Sequence, residues 1–457
     1  MTADRGAKIV RHARRLLSDP VSGGVLRASA VSMSVRTAGL AIAFLSHMLI
    51  SRTLGASAYG QYSIALGWAL ILVIPARLGV DNTVLRYASI YLEEENFAAL
   101  RALIRFALVM MVLSSSVVAI VLIGQAQLGS GLFSMFSSGA VLWIGALIFT
   151  LAALGLYSAL IRSAKRVLAS QLYEQVLRPA SLIALIGGAA LLGIRLSAER
   201  ALILTVIAAA VALTGIVIHF HRIAPSLRAH RHDLTDRADW IAVGWPLLLM
   251  NVVQEVLNQI DVIMLGHLAD TAASGLYAAA WRLASLVPFA LISLSFISAP
   301  MIATAYRRRD FDELSRIAKV NARLAFLFSL AMAAFLAAIG GFALRAFGDG
   351  FDAAYPALLI LLGGGLISAF TGSVGYLMTM TGRQNSALLS ACAALAANLV
   401  LNVTLISRLG IIGSAVAATS SVFVYNLLMW IHVRRTMGID ASVVARPPVP
   451  VADQRAP

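Results

Sequence analysis

Residues 107–123 read ALVMMVLSSSVVAIVLI, and residues 325–339 read AFLFSLAMAAFLAAI. Neither run contains a charge. A helix crossing a bilayer needs about 20 mostly apolar residues. Working outward from these two runs, twelve stretches meet that requirement: 29–51, 61–80, 102–124, 138–161, 171–193, 200–220, 240–265, 273–300, 320–346, 353–381, 385–406 and 411–432. A membrane β-barrel would show alternation over segments of about 10 residues. These runs are continuously apolar and rich in Ala and Leu, so the expected fold is an all-α polytopic membrane protein.

The whole chain agrees. Of 457 residues, 60% are hydrophobic and 12% charged, about half the charge of a soluble domain. That excludes a soluble enzyme, a secreted domain and a disordered chain. The net charge of +15 is read as loops facing anionic headgroups, with no nucleic acid as partner. The single cysteine, Cys392, allows no internal disulfide and is expected to pack as a small apolar residue. The first span is longer than a signal-peptide core of about 7–15 residues and is read as uncleaved.

Lys and Arg orient the spans. With the N-terminus inside, 28 of them fall on inside segments and 5 on outside loops. Arg36, Arg178 and Arg282 lie within spans. Both termini are therefore expected in the cytoplasm.

An internal repeat divides the chain. Gly60-x-Tyr62 recurs as Gly275-x-Tyr277, 215 residues on. Asn96-Phe97 recurs as Asp310-Phe311 at 214, and Pro75 as Pro288 at 213. The reading is a basic N-terminal segment (1–28), a six-helix half (29–220), a cytoplasmic linker (221–239), a second six-helix half (240–432) and a tail (433–457). Six is even, so the halves run parallel about an axis along the membrane normal. A central cavity between them suits alternating access.

Polar side chains at bilayer depth are costly and mark cavities or partners. Asn251, Gln254, Glu255, Asn258 and Gln259 share one face of the seventh span, and Asp261 follows. Trp245-Pro246 is expected to disturb that helix. Arg36 and His47 lie three turns apart on the first span, and Arg282 lies in the eighth. The candidate substrate-binding residues are Arg36, Arg282, Asn251, Gln254, Asn258 and Gln259. The candidates for ion coupling or gating are Glu255, Asp261 and His47. Interhelical hydrogen bonding is the alternative for the stripe, and snorkelling to headgroups is the alternative for Arg36 and Arg282. Glu174 and Arg178 have the order of a helical ion pair. Asn398 and Asn402 read as helix packing.

Asp310-Phe311-Asp312 superficially matches the acidic motif of metal-using glycosyltransferases, but it adjoins Arg307-Arg308-Arg309 in a short connector. No Walker, H-E-x-x-H or G-x-S-x-G sequence occurs. No catalytic residue, cofactor or metal site is expected, and transport energy must come from gradients or the membrane potential.

The run Leu49-Ile50-Ser51-Arg52-Thr53-Leu54-Gly55-Ala56-Ser57-Ala58-Tyr59-Gly60-Gln61-Tyr62, with Gly79-Val80, Arg86-Tyr87 and Gly275-Leu276-Tyr277, resembles the Wzx-type oligosaccharide-lipid flippases. Those belong to the MOP superfamily, with the MATE exporters and the lipid II flippase MurJ. The resemblance implies a MATE-like arrangement in the bacterial inner membrane. It implies flipping of a polyprenyl-diphosphate-linked oligosaccharide for surface polysaccharide biosynthesis. A lipid-linked oligosaccharide, membrane lipids and polymerase or export proteins would be its partners, and the chain would work as a monomer. A MATE-like cation antiporter driven by H+ or Na+ is the alternative. The short outside loops disfavour a membrane-bound polymerase or ligase.

Overall fold

A computed structural model describes residues 20–127, 133–223 and 237–444. The expected basic segment through residue 19, most of the linker and the tail beyond residue 444 lie outside the described residues. Those that are described form helices and their connections, with no strand. In chain order the helices are α1 Pro20–Arg77, α2 Val80–Glu93, α3 Phe97–Gln127, α4 Ser138–Ser163, α5 Val167–Gln171, α6 Arg178–Leu191, α7 Ala198–Ile223, α8 Arg237–Leu268, α9 Thr271–Ala284, α10 Phe289–Arg307, α11 Phe311–Arg345, α12 Tyr355–Thr371, α13 Val374–Met380, α14 Gln384–Leu409 and α15 Ile411–Met437.

Nine helices among the described residues are long and apolar enough to cross a membrane, or ten with α9 and α10 taken as one span bent by 46°. The difference from the expected twelve has physical causes. The continuous run α1 covers two expected spans, because Gly55 has φ 73° and ψ 173° and breaks the helix inside it. His47 and Tyr62 are 15 residues apart, about 22 Å along a straight helix. Their ring centroids are 6.2 Å apart, so the chain reverses direction at Gly55. The expected fifth span is divided by a π-helical turn, Leu172–Leu177, between α5 and α6. The expected tenth span breaks at Gly372, between α12 and α13. Residues 80–93, which follow the second expected span, are helical. Trp245-Pro246 does not break α8, which runs unbroken from Arg237 to Leu268.

The repeat motifs have local explanations. Asn96 Oδ1 accepts from the Ala99 N–H at 3.1 Å and Asp310 Oδ1 from the Glu313 N–H at 2.9 Å. Each therefore caps the helix that follows it, and Asp310 is a cap rather than a metal ligand. After Pro75, Leu78 and Gly79 take positive φ and end α1. Pro288 stands at the matching break before α10.

Here α1–α7 are termed the first bundle and α8–α15 the second; they meet extensively where α1 packs on α8 and α9. One buried cluster joins α4 to α1, α3 and α7, with Trp240 of α8 inserted into it. Thr83 donates to the Trp240 carbonyl at 2.8 Å, and the Trp240 indole donates to Tyr91 at 3.3 Å. Another cluster lies wholly in the second bundle, between Ile302 and Ala441. A third bridges the two, with Ile50, Tyr59 and Tyr62 against Leu265, Tyr277 and Phe351. Large apolar side chains such as Leu113, Val117, Ile120, Leu327, Phe328 and Phe342 are exposed on α3 and α11. Faces of this kind belong against acyl chains. The protein is a multi-pass membrane protein. Cys392 is exposed on α14 rather than packed inside.

The repeat is also the contact between the bundles. A Cβ built on Gly60 would overlap the Thr271 carbonyl oxygen, and one on Gly275 would overlap the Ala56 carbonyl oxygen. Ala56 and Thr271 are 215 residues apart, as are Gly60 and Gly275. The contact is therefore reciprocal. Small residues four apart let the helix backbones touch, and the Ser57 and Thr271 hydroxyls pair at 2.8 Å beside it.

Candidate functional site

Two cavities lie between the bundles and share Leu70 as a wall. The first, a chamber of about 340 Å³, is lined by Leu70, Val73, Ile74 and Arg77 of α1, Asp81 of α2, and Leu248, Asn251, Gln254 and Glu255 of α8. The second, a pocket of about 270 Å³ nearer the Gly55 reversal, takes His47 and Tyr62 from α1, Arg178 from α6, Thr205 from α7, Gln259 from α8, and Trp281 and Arg282 from α9.

The pocket is cationic. Arg178 and Arg282 both line it, and no carboxylate does. Arg282 donates from Nε to the Tyr59 hydroxyl at 3.0 Å. Tyr62 pairs with the Thr205 hydroxyl at 3.1 Å. His47 Nδ1 is buried without a hydrogen-bond partner. Glu174 lies within electrostatic range of Arg178 across the π turn, outside the lining of the pocket. Pro179, which cannot donate to the preceding turn, follows Arg178 directly. This widened turn delivers Arg178 to the pocket.

The chamber has the opposite character. Arg77 donates from Nη2 to the Leu151 carbonyl at 2.7 Å, and its Nη1 is 3.8 Å from Asp81. Glu255 accepts from Gln259 Nε2 at 2.8 Å. That bond links the chamber to the pocket along one face of α8.

The structure divides the expected site residues. Asn251, Gln254, Gln259 and Arg282 line one cavity or the other, as do Glu255 and His47. Arg36 and Asn258 line neither; Arg36 is half-buried, within electrostatic range of Tyr376 on α13. Asp261 is only 3% exposed. It accepts from Asn398 at 3.0 Å and Asn402 at 2.7 Å, with the Tyr277 hydroxyl adjoining. Asn398 and Asn402 thus do more than pack helices. Ser414 adjoins Tyr277 in the same cluster, and Asn402 Oδ1 there lacks a partner. Among the described residues no three His, Cys, Asp or Glu side chains gather to hold a metal ion.

The model of the family described as "Polysaccharide biosynthesis protein" matches residues 25–306, more than half of the chain. The chain belongs to the polysaccharide biosynthesis protein family. A second model, MatE, matches residues 246–404 of this family member. A "Probable flippase AglR" of Haloferax volcanii is 25% identical over 195 residues, 41% of this polysaccharide biosynthesis protein and 40% of the relative. A "Probable multidrug resistance protein NorM" of Mesorhizobium japonicum is 37% identical over 93 residues, 20% of each chain. The matched stretches thus span two fifths or less of these relatives. An inward-facing MATE transporter of the MOP superfamily superposes with a TM-score of 0.69 at 15% identity, covering 90% of this chain and 98% of that one. The lipid II flippase MurJ, in an inward closed conformation, superposes with a TM-score of 0.69 at 14% identity, covering 88% and 87%. The fold of this polysaccharide biosynthesis protein is that of MOP-superfamily transporters.

Proposed function

We propose that this transporter flips a polyprenyl-diphosphate-linked oligosaccharide across a bacterial inner membrane, for surface polysaccharide biosynthesis, by alternating access between its bundles. The observation that carries this reading is the pocket holding Arg178, Arg282 and His47 without a carboxylate. A diphosphate diester is an anion whose desolvation such a pocket offsets, and guanidinium groups match its oxygens. The polyprenyl tail stays in lipid. The family membership and the relative named as a probable flippase support the same substrate class. With both termini in the cytoplasm, the Gly60–Gly275 seam closes the outer side and the chamber faces inward. The oxygen-rich cluster around Asp261 serves the coupling cation or proton. Both bundles belong to one chain, so a monomer suffices, and a polysaccharide polymerase would take the product.

The buried Asp261 and the MatE match favour a second reading, an antiporter of organic cations. Proteoliposomes decide between them. A fluorescent undecaprenyl-diphosphate-linked sugar in the inner leaflet should become accessible to a membrane-impermeant quencher faster than in protein-free vesicles. No acceleration, with ethidium moving under a Na+ or proton gradient instead, would establish the second reading.

A further inference from the structure

The chamber beside the cationic pocket has no role in holding a diphosphate. Its two carboxylates, Asp81, in ion-pair range of Arg77, and Glu255, which accepts from Gln259, outnumber its one cation, Arg77, and leave the lining net negative. Resting on the flippase reading, we propose that this chamber is the subsite for the sugar joined directly to the diphosphate. There it selects neutral or amino sugars and rejects uronic acids.

The geometry argues this from both ends. Glu255 and Gln259 lie one turn apart on α8, about 6 Å by helical rise, and are hydrogen-bonded to each other. A diphosphate beside Gln259 therefore places its glycosidic sugar beside Glu255. Ionised carboxylates only accept hydrogen bonds, which suits sugar hydroxyls and ammonium groups. The amides of Asn251 and Gln254 both donate and accept, which suits ring substituents such as an N-acyl group. Leu70, Val73 and Ile74 supply the apolar wall that a pyranose C–H face needs. A uronate carboxylate would be brought against Glu255 and a lining that stays net negative after Arg77 offsets Asp81, with its water removed. Such repulsion is how a site rejects a near-identical ligand.

The test uses the purified full-length protein in nanodiscs and three short-chain probes: citronellyl diphosphate, its N-acetylglucosamine conjugate and its glucuronic acid conjugate. The wild-type protein should bind the N-acetylglucosamine conjugate about tenfold more tightly than the glucuronate conjugate, a factor expected of one like-charge clash. Glu255→Gln and, separately, Asp81→Asn should bring that ratio to within about threefold by strengthening the glucuronate conjugate. Measuring a ratio within one preparation cancels differences in folded fraction, and two variants at different places guard against one that fails to fold. Equal binding of the two conjugates by the wild type, or a ratio unmoved in both variants, would overturn the sugar subsite while leaving the flippase reading intact. Failure of citronellyl diphosphate itself to bind the wild type, or indifference of its binding to Arg282→Gln, would overturn both.

Discussion

Arg282 of α9 and Tyr59 of α1 are joined across the boundary between the bundles by a 3.0 Å hydrogen bond from Nε to the phenolic oxygen. The guanidinium is thereby aimed into the pocket from the second bundle, while Arg178 enters from the first. Arg178→Gln and Arg282→Gln should each lower flipping of the labelled lipid at least tenfold with normal protein in the membrane. Tyr59→Phe, which keeps the guanidinium and removes only the hydrogen bond that orients it, should give a smaller loss. Normal rates in both arginine variants would remove them from the substrate path.

The Ser57 and Thr271 hydroxyls, 2.8 Å apart, offer a direct handle on the seam. In a chain whose single cysteine has been changed, Cys392→Ser, the pair Ser57→Cys and Thr271→Cys should crosslink on mild oxidation. The crosslinked protein should stop turning over, and reduction should restore it. Adding Gly60→Leu should abolish the crosslink, because the new side chain overlaps the Thr271 carbonyl. Full transport by the crosslinked protein would show that the seam does not open.

Asp261 should carry the gradient dependence of transport. Asp261→Asn keeps the shape of the cluster with Asn398 and Asn402 but removes its charge. Gradient-driven flipping in proteoliposomes should fall at least tenfold, with citronellyl diphosphate binding retained. An unchanged response to Na+ and to pH gradients would assign the carboxyl a structural role.

Asp440, beyond the last helix, gives a pH signature. Burial pushes its carboxyl up, but the Ser442 hydroxyl and N–H, the Trp430 indole and nearby Arg434 outweigh that and hold it below the ordinary carboxylate range. A carboxyl depressed in the folded state stabilises it above the unfolded value, about 3.9. That contribution is lost as pH falls through the folded value. The thermal unfolding temperature of the wild type should thus decline more steeply below about pH 4 than that of Asp440→Asn. The anchorage concerned is that of residues 440–443, where the Val443 N–H reaches the Phe370 carbonyl at 3.1 Å.

Much of this was legible in the chain because lipid simplifies the code. A residue such as Gln254 or Glu255 in an apolar run has few places to go, and the α8 stripe does line the two cavities apart from Asn258. Asn96 and Asp310, legible only as repeat landmarks, prove to cap the helices that follow them. Other features depend on backbone geometry that periodicity does not carry. The α1 reversal hangs on the positive φ of one residue, Gly55. Arg178 stands just after a π turn, which a 3.6-residue periodicity does not announce. Arg36 shows the converse: depth within a span does not say which neighbour a side chain will meet.

The reciprocity of the glycine contact reaches beyond the closed state. In the seam, Ala56 and Gly60 meet Thr271 and Gly275 as identical patches meet in an isologous dimer. A single ancestral unit carrying one copy would already have both sides of the joint and would pair with itself.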